Sequence, residues 1–323
     1  MKKIIGALML VCAIATCHAQ GSLTLNDINV RDPFIYADPV SKTYYMYTSR
    51  NDESAASING DSRGGVAIYK SKDLKHWGEP KQVLVLPEDN WVSGHIWAPE
   101  MHCYNGKYYL FATVNTNIQW SEGLTYRATQ IFWSDSPEGP FRAFPDKMPV
   151  VSLDEMTLDG TLWVENGQPY MVYCHEWLQV DDGEVRYIPL KDDLSAASGP
   201  SRLLFCGSAA KWVKRDYKNG AYITDGCFLY RTKKGKLLMI WSSFTERGYA
   251  VGLAQSVTGK IVGPWKQFDK PLFDQDGGHA MLFKDFKGKL HMALHAPNST
   301  GGQERAHILD VEETEDGLIR IVK

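Results

Sequence analysis

Apolar and polar positions alternate along this chain in short runs, rich in Tyr, Val, Ile, Phe and Trp and bounded by Gly, Asn, Asp and Pro. That is the punctuation of strands, and a helical period is nearly absent. One run, Val30-Arg31-Asp32-Pro33-Phe34-Ile35-Tyr36, returns four times in altered form. The later versions are Trp97-Ala98-Pro99-Glu100-Met101, Leu158-Asp159-Gly160-Thr161-Leu162, Thr224-Asp225-Gly226-Cys227-Phe228 and Gly278-His279-Ala280-Met281-Leu282. A polar turn and a second apolar run follow each: 43–47, 107–111, 169–173, 236–240 and 289–293. Asn105-Gly106 and Asn166-Gly167 are tight-hairpin signals at two of these turns, because Gly takes positive φ without steric cost. Third strands are expected at 65–70, 129–134, 184–189, 250–255 and 306–311. A polar segment comes next, closed by an aromatic in three units (Trp77, Phe141, Trp265) but not around Lys191-Asp192-Asp193-Leu194.

Five repeats of three or four antiparallel strands predict an all-β fold, a five-bladed β-propeller, with units at 26–92, 93–150, 151–208, 209–271 and 272–323. A stacked solenoid of the same strands is the competitor. It gives no reason for the units to agree on a titratable residue at one place, yet Asp32, Glu100, Asp159, Asp225 and His279 recur at intervals of 68, 59, 66 and 54 residues. In a propeller the first strand of every blade lines the axial channel, so such residues converge. Pro33 and Pro99 agree, since an innermost strand is an edge and tolerates a missing donor.

Composition changes this picture little. The chain has 323 residues, 44% of them apolar, and a net charge of −3 that argues against nucleic acid or an anionic membrane as partner. Residues 1–19 read as a secretory signal: Lys2-Lys3, an apolar stretch from Ile4 to Ala15, and a small-residue site before Gln20. No other apolar run is long enough to span a membrane. Cys17 follows Ile14-Ala15-Thr16, near a lipoprotein cleavage box that Thr16 fits poorly. Export to the periplasm or the outside by cleavage at Ala19 is therefore expected over a lipid anchor. Residues 20–323 then form one domain. Its cysteines, Cys103, Cys174, Cys206 and Cys227, lack metal-finger spacing, and buried free thiols are expected over a disulfide.

Carboxylates crowded at a channel mouth cannot all ionise, so one stays protonated while another stays charged. An inverting glycosidase needs that acid and base pair, separated by room for a water. A metal cage is the rival, although calcium prefers oxygen ligands and His279 is a nitrogen. Each Asp before Pro or Gly reads alone as a turn residue, and only the shared register points to chemistry. Glu176, in Cys174-His175-Glu176-Trp177 after a second strand, is a further candidate acid, with Trp177 as a stacking face; the bland alternative is a loop carboxylate. His95, Trp97 and Trp163 flank channel strands as subsite or core residues, and 54–65 is a polar insertion.

In these motifs the chain resembles glycoside hydrolase family 43: Arg31-Asp32-Pro33, Trp97-Ala98-Pro99-Glu100, Leu158-Asp159-Gly160 and Gly278-His279, in that order across nearly the whole mature chain. The resemblance implies an enzyme releasing arabinofuranosyl or xylosyl ends from oligosaccharides or polysaccharides, with no required cofactor. By the same resemblance Asp32 is the general base, Asp159 tunes the acid, His279 holds a water or a calcium ion in the channel, and Arg305 meets sugar hydroxyls. Trp97, Glu100 and Trp177 would contact substrate. The family's acid is a Glu in a Glu-Gly-Pro context, where this chain has Asp225-Gly226-Cys227. Asp225 and Glu176 therefore stand level as acid. A fructan-cleaving retaining propeller and a non-catalytic glycan binder remain the alternatives.

Overall fold

The computed structural model describes residues 22–50, 64–86, 91, 94–122, 124–215 and 220–322. The expected signal segment and most of the 54–65 insertion lie outside these residues. Within them the chain forms twenty strands in five four-stranded antiparallel sheets, the blades of a propeller. Blade one comprises β1 (Phe34–Asp38), β2 (Thr43–Ser49), β3 (Gly65–Ser71) and β4 (Lys81–Val85). Blade two comprises β5 (Ile96–Tyr104), β6 (Lys107–Ser121), β7 (Leu124–Ser134) and β8 (Arg142–Ala143). In blade three β9 (Thr157–Glu165) and β10 (Gln168–His175) lead through one helical turn, α1 (Trp177–Val180), to β11 (Glu184–Pro189) and β12 (Arg202–Cys206). Blade four holds β13 (Asp225–Arg231), β14 (Leu237–Thr245), β15 (Gly248–Ser256) and β16 (Trp265–Gln267). Blade five holds β17 (Gly278–Lys284), β18 (Leu290–Ala296), β19 (Arg305–Glu313) and β20 (Ile319–Ile321).

Sequential strands pair in every sheet, so the first strand of each blade is its inner edge. The two Asn-Gly hairpins are as expected: Asn105 and Gly106, and Asn166 and Gly167, all take positive φ between paired strand ends. The hydrophobic cores lie between blades rather than within them. One joins blades one, two and five, and others join two to three, three to four and four to five. The aromatics that close the polar segments belong to this packing. Trp77 and Phe141 are buried, and in blade three the buried Leu194 takes that place.

The ring closes without exchanging a strand. Residues 26–31 bind blade five instead: Val30 N donates to Glu304 O, Asn29 Nδ2 to Gly302 O, and Arg31 pairs with Glu304 at 3.1 Å. Arg305 belongs to this closure, donating through Nε to Asn26 O at 2.8 Å. The four cysteines are free; Cys174 and Cys227 are buried, but Cys103 is exposed, contrary to expectation, in an open hollow lined by the inner strands.

Candidate active site

The mouth of the channel is built by one repeated backbone device. Asp32, Ala98, Asp159, Gly226 and His279 all have positive φ, between 43° and 52°, at the start of the five inner strands. In blades two to five the strand register shifts there: two residues, such as Asp159-Gly160, oppose one on the neighbouring strand. This is a β-bulge, which turns a strand and re-aims a side chain. Gly226 is required at its bulge, since a Cβ would lie 2.9 Å from the Cα and Cγ of His279.

The bulges correct the expected register. Asp32, Asp159 and His279 are equivalent, but Asp225 stands one residue before its bulge and Glu100 two residues after. The positions that bulge in blades two and four carry Ala98 and Gly226, which have nothing to titrate. Asp225 still reaches the mouth from one residue earlier. Glu100 does not: it is buried lower in the channel, with Oε2 3.2 Å from His102 Nε2.

Arg31, Asp32, Trp97, Leu158, Asp159, Trp177, Asp225 and His279 enclose a pocket of about 250 Å³. Larger hollows of about 350, 530 and 680 Å³ lie elsewhere; the last gathers Asp73, Asp285 and Asp310, but these are little buried and their partners all lower them, so no acid and base are set apart there. Convergence of perturbed groups, not size, marks the site.

Burial alone would raise the Asp32 carboxyl, but its neighbours more than reverse this. His279 Nδ1 lies 3.4 Å and His295 Nδ1 3.0 Å from Asp32 Oδ1, with Arg31 nearby, and together they hold Asp32 well below the usual carboxylate range. His295 is fixed in turn. Its Nε2 is 3.1 Å from Asn298 Oδ1, which also accepts from Arg31 Nη2, and its ring stacks on Tyr249.

The opposite wall behaves differently. Asp159 is pushed up to about 6, first by burial and then by Asp32 and Glu100; its hydrogen bonds with Asp225 and with Gly226 N limit the rise. Thr113 Oγ1 receives the Asp159 N–H at 2.9 Å and fixes this backbone. Asp225 is raised well above the ordinary range by burial and by Asp159 beside it, although Tyr249 donates to its Oδ2 at 2.8 Å. The two facing carboxyls of the mouth are therefore shifted in opposite directions, Asp32 down and Asp225 up.

Asp159, Asp225 and His279 offer ligand atoms within 4.8 Å of one another. One nitrogen and two carboxyls by themselves fall short of the six to eight oxygens calcium takes, so waters would have to supply the rest. His279 Nε2 is nevertheless buried without a partner.

Glu176 is fully buried and does not line the pocket. It caps α1, accepting from Leu178 N, and lies 3.5 Å from Arg127 Nη1. Arg305 sits away from the pocket in the ring closure. Trp163 packs between blades three and four, and His95 is exposed outside the pocket. Sequence reasoning missed Tyr249, His295, Asn298 and Arg127. Nothing distinguishes Tyr249 among sixteen tyrosines, or His295 among nine histidines, before the strands are placed around an axis.

Known proteins resemble this chain over most of its length. A solved structure of an endo-arabinase from Bacteroides thetaiotaomicron VPI-5482 is 36% identical, covers 91% of this chain and 98% of its own, and superposes with a TM-score of 0.80. An extracellular exo-α-(1→5)-L-arabinofuranosidase of Cellvibrio japonicus (strain Ueda107) is 23% identical over 99% of this chain and 87% of its own length. An endo-1,4-β-xylanase structure from Bacteroides thetaiotaomicron VPI-5482, 23% identical over 94% of this chain and 97% of its own with a TM-score of 0.72, shares the fold. The model of glycosyl hydrolases family 43 matches residues 27–319, and the chain belongs to that family of glycoside hydrolases.

Proposed function

We propose that this protein is an exported, inverting glycoside hydrolase that releases α-L-arabinofuranosyl ends from arabinan-type chains. The observation that carries the mechanism is the opposition of two carboxyls in one pocket, one shifted down by histidines and one shifted up by burial and a like charge. Asp32 takes a proton from a water as its oxygen bonds to the anomeric carbon. Asp225 gives its proton to the glycosidic oxygen as that carbon–oxygen bond breaks. The two carboxyls then return to their starting states by exchange with solvent. Asp159, hydrogen-bonded to Asp225, keeps the proton there until the leaving oxygen competes for it.

Asp225 is preferred over Glu176 as the acid because it lines the pocket, whereas Glu176 is fully buried and does not. A pocket of about 250 Å³ is smaller than the usual ligand cavity and suits one sugar ring, which supports action at chain ends. The preference for arabinose over xylose rests on the names of the endo-arabinase and the exo-arabinofuranosidase. Export agrees with the extracellular names of two relatives. No helix among the described residues is long and apolar enough to cross a membrane. His279 Nε2 is open to a channel water, or to a cation completed by waters.

Hydrolysis of linear α-(1→5)-arabino-oligosaccharides, followed by NMR of the first product, tests this reading. Release of single arabinose with inverted configuration is expected. A first product of retained configuration would sink the mechanism, and turnover of xylo-oligosaccharides alone would sink the substrate.

A further inference from the structure

Four buried polar atoms without partners gather beside the pocket: Arg127 Nε, Glu176 Oε2, Trp177 Nε1 and Thr224 Oγ1. Buried polar groups are nearly always hydrogen-bonded, so such a cluster asks for an explanation. One of these residues, Trp177, lines the pocket itself, and so does Asp225, the neighbour of Thr224. Arg127 stands on β7 directly opposite Asn115, where the β6–β7 hairpin rises past the end of the sheet. Its guanidinium lies over the ring of Trp97, 5.1 Å from the centroid. Its contact with Glu176 is long, 3.5 Å, and closes no hydrogen bond.

Arg31, which lines the pocket, is the contrast to Arg127, which stands behind the pocket's Trp97 with its side chain 13% exposed. Both of its terminal nitrogens are committed, to Glu304 and to Asn298. An arginine that is held in place yet leaves donors unused is set to receive a ligand. Trp97 is 40% exposed and so stands at the rim of the pocket, whereas Asp32, Asp159 and His279 form its depth. If the terminal sugar fills the depth, the part of the chain at the rim is the part that leaves. Glu176 already offsets the charge of Arg127, so the partner is a neutral hydroxyl-bearing sugar rather than a uronate.

We propose that Arg127, seated on Trp97 and steered by Glu176, binds the hydroxyl groups of the leaving sugar, making blade two the leaving-group subsite. This rests on the glycosidase mechanism above. Arg127 touches substrate in this scheme, while Glu176 is a positioning residue.

The test compares Arg127→Gln, Arg127→Lys and Glu176→Gln with the parent on two probes. One is α-(1→5)-linked arabinotriose, and the other a series of aryl α-L-arabinofuranosides, which have no sugar to leave. Arg127→Gln is expected to lose about tenfold or more in kcat/KM on arabinotriose, mainly through KM, and less than about threefold on the aryl series. Arg127→Lys should recover part of the loss. Glu176→Gln should follow Arg127→Gln more weakly, with an unchanged dependence of rate on leaving-group pKa. Equal losses on both probes, or none, would overturn the subsite. So would a steeper leaving-group dependence in Glu176→Gln, which would make that residue the proton donor. Asp32→Asn, run alongside, separates the two claims: if it keeps parental rates while Arg127→Gln behaves as expected, the base assignment fails and the subsite stands.

Discussion

The two walls of the pocket carry the same kind of side chain in opposite states. On the wall shared by blades one and five, Asp32 is surrounded by His279, His295 and Arg31, and its buried charge is compensated. On the wall shared by blades three and four, Asp159 and Asp225 crowd together, His279 opposes the rise of Asp225 only in part, and burial wins. A carboxyl becomes base or acid here through its neighbours, not through its own chemistry.

The largest effect should come from the compensated wall. Asp32→Ala is expected to lower kcat by roughly 10²–10⁴-fold on every substrate, the usual worth of a positioned base. A variant within tenfold of the parent would remove Asp32 from that role. The crowded wall should respond selectively. Asp225→Asn is expected to cost roughly a hundredfold on poor leaving groups and under about tenfold on activated aryl glycosides. Uniform loss across the series would mean that Asp225 does not protonate the leaving oxygen.

A pH profile sharpens the contrast further. Asp159 raises Asp225 by its charge and hydrogen bond, so Asp159→Asn should move the alkaline limb of kcat/KM to lower pH. A limb that stays in place would deny that the two carboxyls share a proton.

The smallest effect, in stability, should have opposite sign on the two walls. The folded-state pKa of Asp32 is depressed, so its contribution is present above the unfolded value near 4 and is lost as pH falls. Asp159 is raised to about 6, so between about pH 4 and 6 the folded protein holds a proton that the unfolded chain has released. Stability from this group falls as pH rises through that window. At pH 7, Asp32→Asn should therefore melt a few degrees lower than the parent and Asp159→Asn a few degrees higher. Thermal scans showing the same sign for both would break the comparison.

Much of this molecule could be read along the chain. The strand runs, the Asn-Gly hairpins and the fivefold return of one motif specify the blades, because period-two patterning and turn chemistry are local. Asp32, Asp159 and His279 were legible for the same reason, as they occupy one position of a repeat. Glu100 was misplaced because a bulge adds a residue to one strand only, and an alignment of apolar runs does not register it. Arg305 was misread because its partner, Asn26 O, lies at the far end of the chain and meets it only when the ring closes.

The sequence by itself determined the architecture and placed carboxyl-bearing residues at the inner edge of the blades. Tertiary structure alone decided which way each of them is shifted, since His295 and Tyr249 touch Asp32 and Asp225 from second and third strands. The physical reason is range. Backbone preferences act over a few residues, whereas a buried carboxyl responds to whatever lies within several ångströms in space, and that neighbourhood exists only after the blades have closed into a ring.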